Sequence, residues 1–179
     1  GANQALAARR AGAKVRMAGA VGNDGFAGEA LKLLREAGVD LSRVRTAQTQ
    51  TGVATILVEA GGENVIVAVP GANGTVAQAD VDGAAPAGGD HVLLQLEIPL
   101  DAVAASLAAA RQAGATTLLN TAPFRADAVD ILGAADIVVA NETEFDLYAG
   151  ALSLAGAGRE QRMRDFSART GRAVVVTLG

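Results

Sequence analysis

The chain has 179 residues, with 15 basic and 19 acidic side chains, a formal charge of −4 and no cysteine. That length is about one domain; the scattered charge argues against a nucleic-acid footprint, and the missing thiols exclude disulfides and thiolate metal sites. No apolar run approaches the ~18 residues of a membrane span, and no charged-then-apolar leader is present, so a cytoplasmic chain is expected.

Residues 3–11 read as a short Ala-rich helix closed by Gly12. Asn3 is either its N-cap or, with Gly1, part of a helix N-terminus open to polar or anionic ligands. Arg9, Arg10, Lys14 and Arg16 form the densest basic cluster, read as a solvated helix end and turn. Residues 15–21 read as a strand and Gly22-Asn23-Asp24-Gly25 as a turn. Residues 26–37 read as a helix with Phe26, Ala30, Leu33, Leu34 and Ala37 on its apolar face. Asp24 is a candidate cap for it, with no catalytic role. Residues 51–69 change character: a period of two, interrupted at Gly61-Gly62, predicts a β-hairpin. It is either a lid or dimer-forming flap, or an ordinary edge hairpin. Pro70-Gly71-Ala72-Asn73-Gly74 returns the chain to its main body.

From residue 91 strands and helices alternate. His91-Val92-Leu93-Leu94-Gln95-Leu96-Glu97 is an apolar run with a carboxylate at its exit and Pro99 behind it. A strand over 92–96, apolar on both sides, suits a parallel sheet covered on both faces. Helices are expected over 100–113, 126–132, 142–148 and 159–170, and further strands over 116–119, 137–140 and 173–177. This rhythm predicts an α/β fold with a parallel, doubly wound sheet. Ligands of such sheets sit at the carboxyl ends of the strands. Glu97, Asn141 and Thr177 stand at three such exits and are expected to edge one cleft.

Glu97 is either an acceptor for sugar hydroxyls or a solvated strand end. Asn141 and Glu144, three apart at a helix start, make a capping pair. Gly179 permits close backbone approach beside Thr177. His91 is the single histidine and has no base partner for a Ser-His-Asp arrangement. There is no phosphate-binding Gly-x-x-x-x-Gly-Lys-Ser/Thr loop and no Gly-x-Gly-x-x-Gly fingerprint.

Taken together and in order, five blocks resemble the ribokinase family of sugar kinases. They are Gly1-Ala2-Asn3-Gln4-Ala5, Gln95-Leu96-Glu97, Asn120-Thr121-Ala122-Pro123, Asn141-Glu142-Thr143-Glu144 and Val176-Thr177-Leu178-Gly179. The hairpin matches part of the family's β-lid, at about residues 51–72. Within the family, the first two blocks are more similar to ribokinases than to fructokinases or adenosine kinases. The resemblance covers essentially the whole chain. It implies a ribokinase-like doubly wound, mostly parallel sheet with a small lid, and transfer of a phosphoryl group from ATP to D-ribose.

By the same resemblance, Gly1, Asn3 and Glu97 contact sugar hydroxyls, Asn141 reaches the ATP phosphates, and Thr177 and Gly179 line the nucleotide site. Glu144 helps to place Mg2+, a hard cation that keeps several waters. A homodimer through the lid is implied as well. The family's general base and anion hole lie in a Gly-Ala-Gly-Asp-type motif beyond residue 179, as does its monovalent-cation (K+) site. The expectation is therefore an incomplete domain with no catalytic base of its own and no turnover alone. A non-catalytic sugar- or nucleotide-binding module and a related kinase such as a fructokinase are the competing readings.

Overall fold

The structure, a computed structural model, describes residues 1–58, 61 and 64–178. They form two compact units, Gly1–Ala84 and Ala85–Gly179.

The first unit runs α1 (Ala2–Arg10), β1 (Arg16–Gly22), α2 (Gly25–Glu36), β2 (Asp40–Ala47), β3 (Val53–Val58), β4 (Asn64–Val69), a 3-10 segment (Gly71–Thr75) and α3 (Gln78–Ala84). β1 and β2 pair in parallel, from Arg16 opposite Asp40 to Gly22 opposite Ala47, with α2 as the crossover. β3 and β4 form the expected antiparallel hairpin, Val53 opposite Val69 and Val58 opposite Asn64. Of the turn residues named above, Gly62 lies outside the described residues. Every residue of β3 is exposed, Val58 at 68%.

Two elements of this unit were not legible beforehand. β2 carries its apolar side chains at Leu41, Val44 and Ala47, three apart, which is not the two-residue period of a strand. α3 buries a single side chain, Val81. The two are joined by Arg45, whose Nε donates to Asp80 Oδ1 at 2.6 Å and whose Nη2 donates to Asp80 Oδ2 at 3.0 Å. The apolar face expected of α2 is also thinner than its sequence suggests. Leu34 is its one buried residue, while Phe26 and Leu33 are exposed, because a two-stranded pair is too narrow to cover the whole stripe. Arg9 departs from the solvated basic cluster: its Nε donates to Ala37 O (2.9 Å) and its Nη1 to Ala13 O (3.1 Å). A cation is favoured there, against the carbonyls that end α2.

The second unit runs β5 (His91–Leu94), α4 (Leu100–Ala113), β6 (Thr116–Asn120), a 3-10 segment (Ala126–Ala134), β7 (Ile137–Asn141), α5 (Glu142–Ala151), α6 (Arg159–Thr170) and β8 (Ala173–Thr177). The strands make one parallel sheet in the order β5-β6-β7-β8. The fold is thus α/β with mostly parallel pairing.

Leu119 and Val138, flanked by Leu94 and Val174, share one face of this sheet. They pack against Val103, Leu107, Leu132, Tyr148 and Phe166 from the helical segments, forming the core. On the opposite face Leu93 is 43% exposed and Val175 47%. The covering of both faces expected for residues 92–96 is therefore met on one face by the helices of this unit. The strand is also shorter than expected. It ends at Leu94, and the Leu96 N–H donates instead to Ala122 O at 3.1 Å.

The Phe124 and Tyr148 rings lie 4.7 Å apart, and the Ala122-Pro123 peptide bond is cis. The Tyr148 hydroxyl accepts from Arg125 N–H and donates to Arg125 O, both at 3.0 Å. Burial pushes its phenol above the ordinary value. Among the described residues, no helix is long and apolar enough to cross a membrane.

At the amino edge of this sheet, Asp136 Oδ2 accepts from Thr117 N–H (2.9 Å) and from its hydroxyl (2.8 Å), while Arg172 Nη1 donates to Oδ1 (2.7 Å). The Thr117 N–H first, then its hydroxyl, holds the Asp136 carboxyl below the usual carboxylate range, and Arg172 adds to this. A depressed folded value means that the stabilisation is full above the usual aspartate pKa of about 3.9. It is lost as pH falls through the folded value. Asp136→Asn is expected to be less stable than the parent at pH 7, with the gap closing below about pH 4. Urea midpoints measured across this range check it; a pH-independent gap would refute it.

Candidate functional site

The register of the second sheet sets which side chains meet at its carboxyl edge. Leu94 lies opposite Leu119, Asn120 opposite Val139, and Asn141 opposite Thr177. Asn141 and Thr177 therefore meet at this edge, while Glu97 follows the exit of β5, at the other end of the strand order from β8. Glu97 is exposed, three residues past the end of β5. The Thr177 hydroxyl donates to Ala140 O at 3.4 Å. Gly179, expected beside it, lies outside the described residues.

Asn141 ends β7 and caps α5. Its Oδ1 accepts the Glu144 N–H at 2.8 Å, and Glu144 Oε2 accepts the Asn141 N–H at 3.0 Å, a complete capping box. Glu144 is only 8% exposed. The same Oε2 accepts a second bond, from the buried hydroxyl of Thr121, at 3.1 Å. A carboxylate this deep needs such partners. One backbone N–H, from Asn141, and one side-chain hydroxyl, from Thr121, fix this carboxylate at the start of α5. Outside the box, Arg159 pairs with Glu142 and, at 2.8 Å, with Asp146 Oδ2.

Thr121 was not among the expected site residues. It lies in the Asn120-Thr121-Ala122-Pro123 block, but its partner is 23 positions away, and no local spacing announces that pairing. Asn120 shapes the same turn, its Oδ1 accepting the Ala122 N–H at 3.1 Å.

In the first unit, α1 begins at Ala2 with Gly1 at the cap position. The N-cap reading of Asn3 is corrected accordingly: Asn3 lies inside the first turn, with its side chain exposed. The helix starts one residue earlier than the Ala-rich run suggested, and this moves Asn3 past the cap.

Among the described residues, no group of three or more His, Asp or Glu side chains could enclose a metal. A braced single carboxylate such as Glu144 instead suits an ion that keeps its waters and takes one or two carboxylates beside ligand phosphates, which is the habit of Mg2+.

A mostly parallel α/β sheet with a capped carboxylate, an amide and a hydroxyl at its carboxyl edge is the build of an α/β ligand-binding protein. The chain belongs to the pfkB family of carbohydrate kinases, whose model matches residues 1–179. It is 38% identical to the ribokinase of Staphylococcus aureus over 186 aligned residues, which cover all of this chain and 60% of that protein. It is 35% identical to the deoxyribokinase of Salmonella typhimurium over 84% of this chain and 50% of that protein. The solved structure of Arabidopsis thaliana ribokinase complexed with ribose and ATP superposes with a TM-score of 0.78 at 27% identity, covering all of this chain and 60% of that one.

Proposed function

We propose that this chain carries sugar- and nucleotide-binding residues of an ATP-dependent sugar kinase, a phosphotransferase that converts D-ribose and ATP to D-ribose 5-phosphate and ADP. The observation that carries the reading is the polar edge of the second sheet, where Asn141, Glu144 and Thr177 meet in a chain of this family. Phosphoryl transfer asks a protein mainly for positioning and charge stabilisation, and at this edge Asn141, Glu144 and Thr121 are tied to one another by hydrogen bonds. The Asn141 Oδ1 is already used by the cap, so the group offered to ATP phosphates is its amide N–H pair, a donor matched to an anion. Glu144 would hold a water of Mg2+, and Thr177 and Gly179 would line the nucleotide. Gly1, Asn3 and Glu97 would meet sugar hydroxyls.

One family match across both compact units supports reading residues 1–179 as part of a single ribokinase-like domain, with a lid inserted at about 51–72. The exposed apolar residues Ile56, Leu57, Val58, Val67 and Val69 suit a lid that is also the contact between two copies of the chain. The register puts Leu57, Val67 and Val69 on one face of the hairpin and Ile56 and Val58 on the other, and exposed apolar surface of this kind suits an interaction site. The setting assigned is the cytoplasm, where ATP is held. A K+ site belongs to the same family reading.

The 179 residues contain no Gly-Ala-Gly-Asp motif, where the family resemblance puts the base. The loss of a general base alone slows transfer by about 10²–10⁴-fold. The expected behaviour of this chain is therefore binding without turnover. Titration calorimetry with D-ribose, 2-deoxy-D-ribose and D-fructose, and then with ATP and Mg2+, tests it. Ribose should bind most tightly, ADP should not accumulate, and sedimentation should give a dimer. The similarity to a deoxyribokinase favours one second reading. In that case 2-deoxy-D-ribose would bind at least as well as ribose, since a site built to pair the 2-hydroxyl rejects the analogue lacking it. No heat with any sugar would end the sugar-kinase reading.

A further inference from the structure

The β3–β4 hairpin stands on a small, dense root. Asp24, the N-cap of α2, accepts four hydrogen bonds. Its Oδ1 takes Phe26 N–H and Ala27 N–H, each at 3.1 Å, and the Thr51 hydroxyl at 2.7 Å. Its Oδ2 takes Thr51 N–H at 2.7 Å. A helix cap explains the first two bonds and leaves the other two unexplained. Thr51 is 7% exposed, and its hydroxyl oxygen in turn accepts the Gly22 N–H at 2.9 Å. The exit of β1, the start of α2 and the entry to the hairpin are thus joined through one carboxylate and one hydroxyl.

The returning leg is tied to the same place. The Ala72 N–H donates to Gln50 O at 2.7 Å, and Ala72 is fully buried. A side chain on Gly71, which holds φ +51, would collide with Gln50 O. One on Gly52 would come within 2.6 Å of Pro70 O, and one on Gly22 would strike the Thr51 backbone. Three glycines therefore allow three stretches of backbone to touch. Immediately beyond, all of Val53–Val58 is exposed.

We propose that Asp24 is the positioning residue of the hairpin: it fixes the hairpin root to the N-terminus of α2, and through that root it sets how tightly the chain holds its sugar. The second half rests on the lid reading given above; the first stands on the hydrogen bonds alone.

Asp24→Asn separates this role from helix capping. Asn keeps an oxygen for Phe26 and Ala27 and is itself a good cap, but it sets an amide donor against the Thr51 N–H. Bonds to a charged acceptor are the stronger kind. Amide hydrogen exchange in the full chain should quicken by about tenfold or more at Thr51–Val58, while α2 amides stay within about twofold. Ribose affinity should fall by about tenfold, with ATP affinity held. Thr51→Val should reproduce the effect, and Thr51→Ser, which keeps the hydroxyl, should restore it.

Unchanged hairpin exchange, or equal quickening in α2 and the hairpin, would show Asp24 to be a helix cap only and overturn the proposal. A loosened hairpin with unaltered ribose affinity would overturn the link to the sugar. If neither parent nor variant binds any sugar, the functional reading fails instead, and the exchange rates alone decide the anchor.

Discussion

Leu119→Ala is expected to destabilise the second unit by about 2–5 kcal/mol, toward the upper end of that range. Leu119 is 0% exposed in β6, opposite Leu94 of β5 on one side and Val138 of β7 on the other. Helical side chains, among them Val103, Leu107 and Leu132, close over it. The backbone on both sides is held by ladder hydrogen bonds, so the site has little freedom to collapse around the missing atoms. Loss of transfer energy is then joined by the cost of a cavity. Leu118→Ala, one residue away on the less covered face, should cost about 1 kcal/mol, since little area returns to water.

The chain has one tyrosine and no tryptophan. That tyrosine, Tyr148, lies in the same core cluster. Its emission during urea unfolding therefore reports on this unit, and equal midpoints for the two variants would refute the assignment of faces.

The second large effect concerns Glu144, where substitution can separate bracing from ion placement. Glu144→Gln keeps an oxygen able to accept from Asn141 N–H and Thr121, so the capping box should survive and the melting temperature should move by no more than about 2 °C. The charge is lost. If Glu144 holds a water of Mg2+, the gain in ATP affinity brought by Mg2+ should drop by about 10–100-fold, the usual consequence of altering an outer partner of a metal. Glu144→Ala also strips the acceptor from two donors, one of them the fully buried Thr121 hydroxyl. It should add about 1–3 kcal/mol of instability. ATP titrations with and without Mg2+ decide the matter. Parent-like Mg2+ dependence in Glu144→Gln would reduce Glu144 to a structural cap.

The sequence was most readable where one strand and one helix repeat without interruption. From His91 onward, apolar runs alternate with helical stretches, and each run became a parallel strand in chain order. The Asn141–Glu144 pair was legible because a capping box is local. Legibility failed where a partner far along the chain decides the outcome. β2 is a strand because β1 lies beside it, although its own pattern is polar and irregular. The exposure of Phe26 and Leu33 depends on how little sheet α2 has to cover. Thr121 reaches Glu144, and Asp24 reaches Thr51, across 23 and 27 positions. Spacing rules describe one turn or one pleat, so they carry no information on such pairs.

The strand order β5-β6-β7-β8 has a consequence for how the chain is made. His91 pairs with Thr116, Leu118 with Ile137, and Ile137 with Ala173, so each ladder closes over a modest loop to the strand just before it. Parallel pairing is slow when partners are distant, since closure entropy must be met before contacts form. Here no strand waits for a later one. As the ribosome releases the chain, each new strand finds its neighbour already outside the exit tunnel. The sheet can therefore grow strand by strand, leaving one unpaired growing edge at any moment for a chaperone to shield.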